Sequence, residues 1–492
     1  MAGSSASAVY ASGTTPSGRG GRVDWNSLGR HLDGDLVLPS DGRYLQARQL
    51  ANAQFDSIRP QAVAYCETRR DVQIALAFAQ DHSLHTVPRS GGHSFGGYST
   101  TQGLVLDVSR MNQIRMRGPN VVIGAGTQQV DALGTLTPHG MALVSGICPT
   151  VGVGGFMQGG GIGWQTRKYG MACDQLVEAT VVLADRRVVR ASADEHPDLF
   201  WALRGNGGGN YGVITSYELK PVHRRTMVSY MVSWSWDIAK EVIEHWQRWA
   251  IDSSNDLASI LLAMIPDLGQ TPQLVVLGNW YGTVEELNGH LDTLAGTIGV
   301  TPAVRNVIER SVFDATMDIY GCAQLTTEQC HRVGTSPVAQ TPRQNYYHTR
   351  SRMFDEPAPN VDQLLEALAA PGKARSGQNR MLYFETLGGA ANVPARTDTA
   401  YVHRTTEMLI GYTGTLNHPD YTDEDTTACE EWLADSFRVL SEHSLPESYQ
   451  NYMDPSLPDW RQAYYAENYP RLVQIKRRYD PHRFFNFARS IG

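Results

Sequence analysis

The order of apolar and polar positions in the first half of the chain predicts short strands that alternate with an amphipathic helix. An apolar run at Ala62–Cys66 predicts the first strand. Thr68 stands three residues before Asp71, the spacing of a capping box that opens a helix. The apolar positions that follow have the three-to-four spacing of a buried helix face: Val72, Ala75, Leu76 and Ala79.

The same pattern continues to about residue 218. A polar turn at Asp185–Arg187 separates two apolar runs and predicts a hairpin. A short helix is expected after it, around Pro197–Leu203. The remaining strand-like runs of this half are Leu84–Val87, Gly103–Val108, Asn120–Gly124, Val177–Ala184 and Val188–Ala191.

After residue 218 the pattern changes to longer amphipathic stretches that alternate with strands. Ile238–Ile251 and Val361–Leu368 have helical spacing, whereas Leu274–Leu277 and Met381–Phe384 are strand-like. We therefore expect residues 219–440 to form a second domain, an α+β layer with a sheet large enough to cover a site.

Composition excludes several classes of function. The chain has 492 residues, 41% hydrophobic and 19% charged, which is typical of a soluble globular protein of two or three domains. A net charge of −8 argues against nucleic acid and against an acidic membrane surface as partners. No apolar run approaches the roughly 18 residues of a membrane span.

Residues 1–22 and the cysteines bear on the compartment, which the sequence leaves open between cytoplasm and export. The first 22 residues are rich in Ser, Gly and Ala and predict a flexible tail without a secretory signal. The six cysteines match neither a zinc site nor a dense disulfide framework, so no metal is expected. Cys322 and Cys330 could pair in an exported protein, and most of the others are expected to be buried thiols.

Glycine is concentrated in three clusters, at residues 89–98, 146–163 and 205–212. Glycine-rich loops let backbone N–H groups approach an anion without interference from Cβ. Three such loops predict a large, extended anionic ligand, for which a dinucleotide fits better than a mononucleotide. The sequence has neither the strand–GxGxxG–helix unit with a downstream acid nor a P-loop Gly-Lys-Ser/Thr.

Two nucleophilic side chains lie inside these clusters. His93 is in the first and Cys148 in the second. Either residue alone would most simply be structural. Together they have one shared chemical use, because an electrophilic isoalloxazine ring can be attacked by an imidazole nitrogen and by a thiolate.

These motifs resemble the berberine bridge enzyme-like family, within the vanillyl-alcohol-oxidase type of flavoproteins. The resemblance extends from about residue 60 to the C-terminus. It is carried by Pro88–Tyr98, Ser145–Gly155, Gly159–Gly163, Arg167–Gly170, Leu203–Gly212, Gly388–Ala390, Tyr401–Arg404, Asn451–Asp454 and Tyr464–Pro481.

The resemblance implies an α+β fold in two domains. A PCMH-type FAD-binding domain with two subdomains would comprise residues 23–218 together with residues 441–492. A substrate-binding domain at residues 219–440, an antiparallel sheet backed by helices, would be inserted between them.

The resemblance also implies FAD attached covalently at two points, to His93 through the flavin 8α-methyl group and to Cys148 through C6. Asn451 would help to position the ring. The other residues expected to bind the cofactor are Arg89, Ser90, Gly91, Gly92, Ser94, Val151, Gly152, Gly154, Gly155, Gly159, Gly160, Gly163, Gly212, Val213 and Ile214.

The catalytic candidates come from two segments. In Tyr449–Asp454, an extended chain would place Tyr449 and Asn451 on one face and Tyr452 on the other. We predict Tyr449 as the base, a role that would need a pKa below the ordinary value of about 10, and Tyr452 as a packing residue, although the order could be reversed. Tyr383 and Glu385 are two apart on a strand of the second domain, where Glu385 could tune or replace the tyrosine.

The sequence thus predicts an FAD-dependent oxidase of a sugar hydroxyl or secondary-metabolite alcohol. Val151 matches the position that gates oxygen in this family, where valine is associated with oxidases, so oxygen and hydrogen peroxide are expected as co-substrate and co-product. Two alternatives remain: oxidative C–C or C–N bond formation with a carboxylate base, and a flavin-binding protein whose catalysis is vestigial.

Overall fold

The computed structural model describes residues 23–492, and the predicted tail at residues 1–22 lies outside the described residues. The strands are β1 Asp35–Val37, β2 Ala62–Tyr65, β3 Thr86–Arg89, β4 Leu104–Asp107, β5 Ile114–Arg117, β6 Asn120–Gly124, β7 Met141–Ala142, β8 Leu176–Val182, β9 Val188–Ser192, β10 Val213–Leu219, β11 Val222–His223, β12 Thr226–Trp234, β13 Leu257–Ile265, β14 Gln273–Trp280, β15 Val304–Ser311, β16 Tyr346–Phe354, β17 Gln378–Thr386 and β18 Met408–Leu416.

Helices connect these strands and close the chain. They are α1 Trp25–His31, α2 Tyr44–Arg48, α3 Arg69–Asp81, α4 Gln129–Leu136, α5 Val153–Gln158, α6 Thr166–Tyr169, α7 Pro197–Ala202, α8 Ala239–Asp252, α9 Val284–Ile298, α10 Val312–Ile319, α11 Val361–Ala369, α12 Asp423–Ser441, α13 Trp460–Tyr465 and α14 Tyr469–Tyr479.

The first half of the chain forms two main sheets. The first has the order β1-β2-β4-β3, with β4 parallel to β2 and β3, and the second is antiparallel with the order β5-β6-β10-β8-β9. The predicted capping box is present, because Thr68 accepts from the Asp71 N–H and the Asp71 side chain accepts from the Thr68 N–H. The glycine clusters follow β3, β7 and α7, so each begins where an ordered element ends.

The second half forms one antiparallel sheet of seven strands, in the order β15-β12-β14-β13-β17-β18-β16. Helices α8, α9, α11 and α12 pack against each other and against its strands. The large buried side chains Trp246 and Trp432 lie in this helix layer. One sheet face is therefore sealed by helices, and the other is free to face the glycine loops.

The C-terminal segment returns to the first half. Helix α14 packs against α7, and Tyr211 donates a hydrogen bond to the Leu472 carbonyl oxygen. The ammonium group of Lys476 is buried and binds the Asp480 carboxylate at 2.7 Å. The mixed α+β architecture is as predicted, while the boundaries at 218/219 and 440/441 stay a prediction.

Candidate active site

A cavity of about 430 Å³ lies where the glycine loops, the seven-stranded sheet and the C-terminal segment meet. Residues of all three glycine clusters line it. Strand β17 contributes Glu385, and the C-terminal segment contributes residues 449–453 and 485–487. Most of the predicted site residues, from distant parts of the sequence, thus share one cavity, although Tyr383 does not line it.

The first two glycine loops touch each other, and this contact requires glycine. A Cβ at Gly91 would lie 2.3 Å from the backbone nitrogen of Gly152, and one at Gly152 would lie 2.1 Å from Ser90 Oγ. At Gly155, by contrast, a Cβ would meet no atom within 4 Å. The loops are therefore packed against one another on one side and leave bare backbone on the cavity side.

The backbone of the first loop also has free donors. Within the described chain, the N–H groups of residues 91–94 donate to no protein acceptor. Buried or enclosed N–H groups usually have partners, and successive free N–H groups form an anion-binding concavity. These donors and the bare glycine backbone fit the pyrophosphate of a dinucleotide.

His93 lies in the cavity wall as a neutral imidazole. Its Nε2 is 2.7 Å from Thr150 Oγ1 on the second glycine loop. Burial, aided by the charge of Arg332, lowers the pKa of His93 to about 4. The ring is therefore uncharged near neutral pH, and a tautomer that donates from Nε2 to Thr150 keeps the Nδ1 lone pair available as a nucleophile.

Cys148 is a free cysteine whose side chain is accessible from the cavity. The surrounding protein nevertheless raises the pKa of its thiol to about 11 by burial. A thiol with this pKa is protonated at neutral pH.

Tyr449 is buried, and its oxygen is held by three N–H donors. The backbone N–H groups of Gly161 and Ile162 donate to it at 3.1 and 2.9 Å, and Asn451 Nδ2 donates at 2.9 Å. Burial raises the pKa of Tyr449 although these donors oppose the shift. The lowered pKa that a tyrosine base needs near neutral pH is therefore not found at Tyr449, because burial outweighs the hydrogen bonds.

The segment that carries Tyr449 is a turn and not the extended chain considered above. The N–H of Tyr452 donates to the Tyr449 carbonyl oxygen at 2.9 Å. The two rings therefore pack together, with centroids 5.0 Å apart, and do not point to opposite faces. The turn brings Tyr452 to the cavity, between Tyr449, Phe95 and Tyr383.

Glu385 faces this aromatic cluster from β17. Burial raises the pKa of its carboxyl to about 7. Burial and the charge of Glu385 raise the pKa of Tyr452 well above its ordinary value. Among the described residues, neither the Glu385 carboxyl nor Tyr452 Oη has a hydrogen-bond partner, although both line the cavity. These two polar groups are therefore available to a bound molecule.

Most other predicted cofactor residues also line the cavity: Arg89, Ser90, Ser94, Val151, Gly154, Gly212, Val213 and Ile214. Three predicted glycines do not, because protein atoms occupy the space beside them. A Cβ at Gly159 would meet Asn451, one at Gly160 would meet Tyr401, and one at Gly163 would meet the Ser145 backbone. These glycines allow close packing behind the wall.

Sequence reasoning missed three residues of the wall. Thr150 belongs to the second glycine motif and could have been found from its position beside Cys148. Tyr347 on β16 stacks on Phe95 with ring centroids 5.0 Å apart. Arg332 lies beside His93 and donates to the Gln49 carbonyl oxygen. The last two come from regions without a motif.

Arg332 belongs to a segment that crosses from the second half of the chain to the first. A disulfide joins Cys322 and Cys330, as the sequence analysis allowed. Arg343 pairs with Asp56 through two nitrogens, at 2.6 and 2.9 Å. The segment is thus fixed on both sides of Arg332, which keeps that charge at the cavity.

Comparisons with known proteins agree with this geometry. Residues 60–192 match the model of an FAD binding domain, and residues 448–492 match the berberine and berberine like model. The chain is 29% identical over 474 residues to an uncharacterized FAD-linked oxidoreductase, YgaK, of Bacillus subtilis (strain 168), covering 94% of this chain and 97% of that protein.

Two solved structures share the fold. The berberine bridge enzyme-like 1 protein of Physcomitrella patens superposes with a TM-score of 0.85 at 22% identity, over 95% of this chain and 98% of that one. Glucooligosaccharide oxidase from Acremonium strictum, described with a 6-S-cysteinyl, 8α-N1-histidyl FAD, has a TM-score of 0.80 at 24% identity, over 95% and 98%.

No helix among residues 23–492 is long and apolar enough to cross a membrane. The cavity, its free backbone donors and the matched FAD binding domain support FAD as the ligand. The chain is an FAD-dependent oxidoreductase that carries an FAD binding domain at residues 60–192 and a berberine-like domain at residues 448–492.

Proposed function

We propose that this protein is an oxidase that holds FAD through two covalent bonds, at His93 and Cys148, and oxidises an alcohol with oxygen as the electron acceptor. The observation that carries the proposal is the convergence of His93, Cys148, Tyr452 and Glu385 on one cavity. FAD held there would supply a hydride acceptor for the alcohol and an electron donor for oxygen, with hydrogen peroxide as the co-product.

His93 and Cys148 anchor the ring from opposite glycine loops. Thr150 fixes the imidazole of His93 through the 2.7 Å contact, and the low pKa keeps that ring neutral and nucleophilic. The pair of attachment types named for the glucooligosaccharide oxidase needs one histidine and one cysteine in one cavity. This chain has both.

Glu385 and Tyr452 share the work of accepting the substrate proton. A carboxyl with a pKa of about 7 is well matched to a general base at neutral pH. Tyr452 Oη has no partner among the described residues, so it is free to bind the substrate hydroxyl and pass its proton towards Glu385. Tyr449, whose oxygen already has three donors, holds the loop at Gly161 and Ile162 in place.

Oxygen as acceptor is supported by the size of Val151 at the cavity wall. Valine leaves room beside the ring that a larger side chain would fill. The substrate is a small molecule that reaches Glu385 through the opening of the cavity.

Oxidative ring closure is a second candidate, because a carboxylate base is the feature that distinguishes it and Glu385 has the position and pKa of one. If the reaction is ring closure, Glu385→Gln should abolish turnover, whereas Tyr452→Phe should keep most of the activity. The products distinguish the two reactions: alcohol oxidation gives an aldehyde, ketone or lactone, and ring closure gives a new C–C or C–N bond.

The direct test is anaerobic reduction of the purified yellow enzyme by a panel of alcohols and sugars, followed by admission of oxygen. Bleaching of the flavin absorbance, and one hydrogen peroxide per turnover once oxygen is admitted, would support the proposal. Absence of bleaching across the panel would favour a protein whose catalysis is vestigial.

A further inference from the structure

A second cavity, of about 340 Å³, lies on the other side of the first glycine loop from the one described above. We use the name FAD cavity for the one that contains Glu385 and second cavity for this one. Residues 89–93, Thr150 and Arg332 line both, whereas Cys148, Glu385 and Tyr452 line only the FAD cavity. The first glycine loop and Arg332 therefore form a wall common to the two cavities.

The charged groups in the wall of the second cavity are compensated with one exception. Among the described residues, its lining contains five basic side chains and two carboxylates, namely Arg43, Arg89, Arg110, His331 and Arg332, with Asp107 and Asp131. The ion pairs of four of the basic side chains are Arg43 with Asp35 and Asp41, Arg110 with Asp35 and Glu67, Arg89 with Asp107, and His331 with Asp131. Arg332 forms no ion pair with any residue of 23–492.

Arg332 is a half-buried cation without a counter-ion. Its Nη1 donates to the Gln49 carbonyl oxygen at 3.2 Å, and its other nitrogens have no acceptor among the described residues. Burial, together with the charges of Arg89 and Arg343, lowers the pKa of Arg332 to about 10. Asp107 opposes this shift but is already paired with Arg89 at 2.5 Å. Since an uncompensated charge in a partly dry site is unfavourable, the wall has a positive charge that an anion would offset.

Two further donors line the second cavity with Arg332. Tyr65 Oη and the side-chain amide of Gln49 are half-buried, and neither has a hydrogen-bond partner within the described part of the chain. Burial raises the pKa of Tyr65, so its hydroxyl keeps its proton and can donate. A guanidinium donates but cannot accept, and together these groups favour a ligand whose oxygens accept hydrogen bonds.

The segment that carries Arg332 is fixed before any ligand binds. The disulfide described above closes the chain just before it. Thr335 Oγ1 donates to the Arg332 carbonyl oxygen at 2.6 Å, and Gln46 Nε2 donates to the Gly334 carbonyl oxygen from α2. The guanidinium is thus held at the second cavity, which lowers the cost of ordering it when a ligand binds.

We propose that the second cavity binds a small oxyanion, a carboxylate or phosphate group, that pairs with Arg332 and accepts hydrogen bonds from Tyr65 and Gln49. A planar guanidinium with free N–H groups matches two oxygens of such a group. The two carboxylates of the wall are already paired, so they repel an anion less than free carboxylates would. The inference does not depend on the oxidase activity, because Glu385 and Tyr452 do not line this cavity.

Binding is measured with the flavin-loaded enzyme near neutral pH, by calorimetry and by the temperature of unfolding. Sodium phosphate and sodium acetate are the probes, and sodium chloride at equal ionic strength is the reference. At least one oxyanion should bind saturably and raise the unfolding temperature beyond the effect of chloride, because a ligand of the folded state stabilises it. The tighter of the two identifies the ligand group as a phosphate or a carboxylate.

Three variants locate the effect. Arg332→Gln should weaken binding roughly 10–100-fold, because it removes a charged donor. Tyr65→Phe should weaken it roughly two- to tenfold, and it keeps the test valid if Arg332→Gln does not fold. Arg248→Gln removes an exposed arginine of α8 that does not line the second cavity, and should leave binding unchanged.

Loss of binding in Arg332→Gln, with binding by Arg248→Gln equal to that of the unmodified enzyme, would support the proposal. Equal binding by Arg332→Gln and the unmodified enzyme would overturn it, and so would an effect no greater than that of chloride. If the flavin-loaded enzyme binds neither oxyanion, the proposal is also wrong, because Arg332 then needs no anion beyond the cofactor.

Discussion

Glu385 is a half-buried carboxyl that has no hydrogen-bond partner among the described residues and lines the cavity. Burial alone raises its pKa to about 7, because burial disfavours the charged carboxylate. The charged and neutral forms are therefore present in about equal amounts near pH 7. Such a group is suited to accept a proton from a bound hydroxyl.

Glu385→Gln should remove the acid limb of the pH profile. In the unmodified enzyme kcat/KM should rise with pH through about 7, because the base must lose its proton first. In the variant kcat/KM should fall by roughly 10²–10⁴-fold and lose that rise. Glu356→Gln, at an exposed position, is the matched control. An unchanged acid limb in Glu385→Gln would exclude this carboxyl as the base.

Substitution of the two tyrosines of the turn should have different effects, one on stability and the other on activity. Tyr449→Phe leaves three N–H donors without their acceptor and should lower the free energy of unfolding by about 1–3 kcal/mol. Tyr452→Phe should keep the stability and lower kcat by roughly 10²-fold. Thermal unfolding and steady-state kinetics measure both. Loss of activity in Tyr449→Phe without loss of stability would instead support the original assignment of Tyr449 as the base.

At the scale of elements, the sequence predicted what depends on local pattern. Helix α3 and its capping box at Thr68 are confirmed, and so is the hairpin of β8 and β9. Strand β3 begins at Thr86 and not at Leu84, because the N–H of Leu84 still bonds the Ala79 carbonyl oxygen at the end of α3. This hydrogen bond keeps Leu84 in the turn after α3, so the strand begins two residues later than predicted.

The rest of the site depends on contacts between distant segments. No short-range pattern predicts that β17 lies between β13 and β18, and that strand order sets the position of Glu385 in the sheet. Arg332 and Tyr347 reach the cavity by tertiary packing from segments without motifs. His93 and Cys148 could be predicted because glycine loops mark their surroundings in the sequence.

The disulfide-closed segment is an element whose contribution can be measured. Cys322→Ser with Cys330→Ser opens a short loop and should lower the free energy of unfolding by about 2–3 kcal/mol. Cleavage by a protease should then increase in the segment that carries Arg332. Cys429→Ser, at a buried free thiol, is a control for loss of a sulfur atom. Equal cleavage before and after opening the loop would show that Arg343 and Asp56 hold the segment alone.

At the scale of the whole molecule, a buried charge cluster joins the sheet, α12 and the C-terminal segment. His348 on β16 lies 2.7 Å from Glu430 on α12 and 3.4 Å from Asp454, which also pairs with Arg350 at 2.8 Å. Burial opposes the charge on His348, but the neighbouring carboxylates of Asp454 and Glu430 raise its pKa to about 9. Asp454 is two residues from Tyr452, so the cluster also fixes the turn.

This cluster should make stability depend on pH. Because the pKa of His348 is raised in the folded state, its contribution should be complete below about 6.5 and be lost as pH rises through about 9. His348→Gln should flatten that part of the curve of unfolding free energy against pH. His443→Gln is the control, at an exposed histidine that forms no ion pair with any residue of 23–492. The same slope in both variants would contradict the assignment.

The central claim is that FAD is bound covalently through His93 and Cys148. The measurement is intact mass and the absorbance spectrum after denaturation in acid. We expect a yellow precipitate and a mass increased by one FAD, with His93→Ala and Cys148→Ala each retaining a single bond. A colourless precipitate of unmodified mass, with free FAD in the supernatant, would contradict the claim.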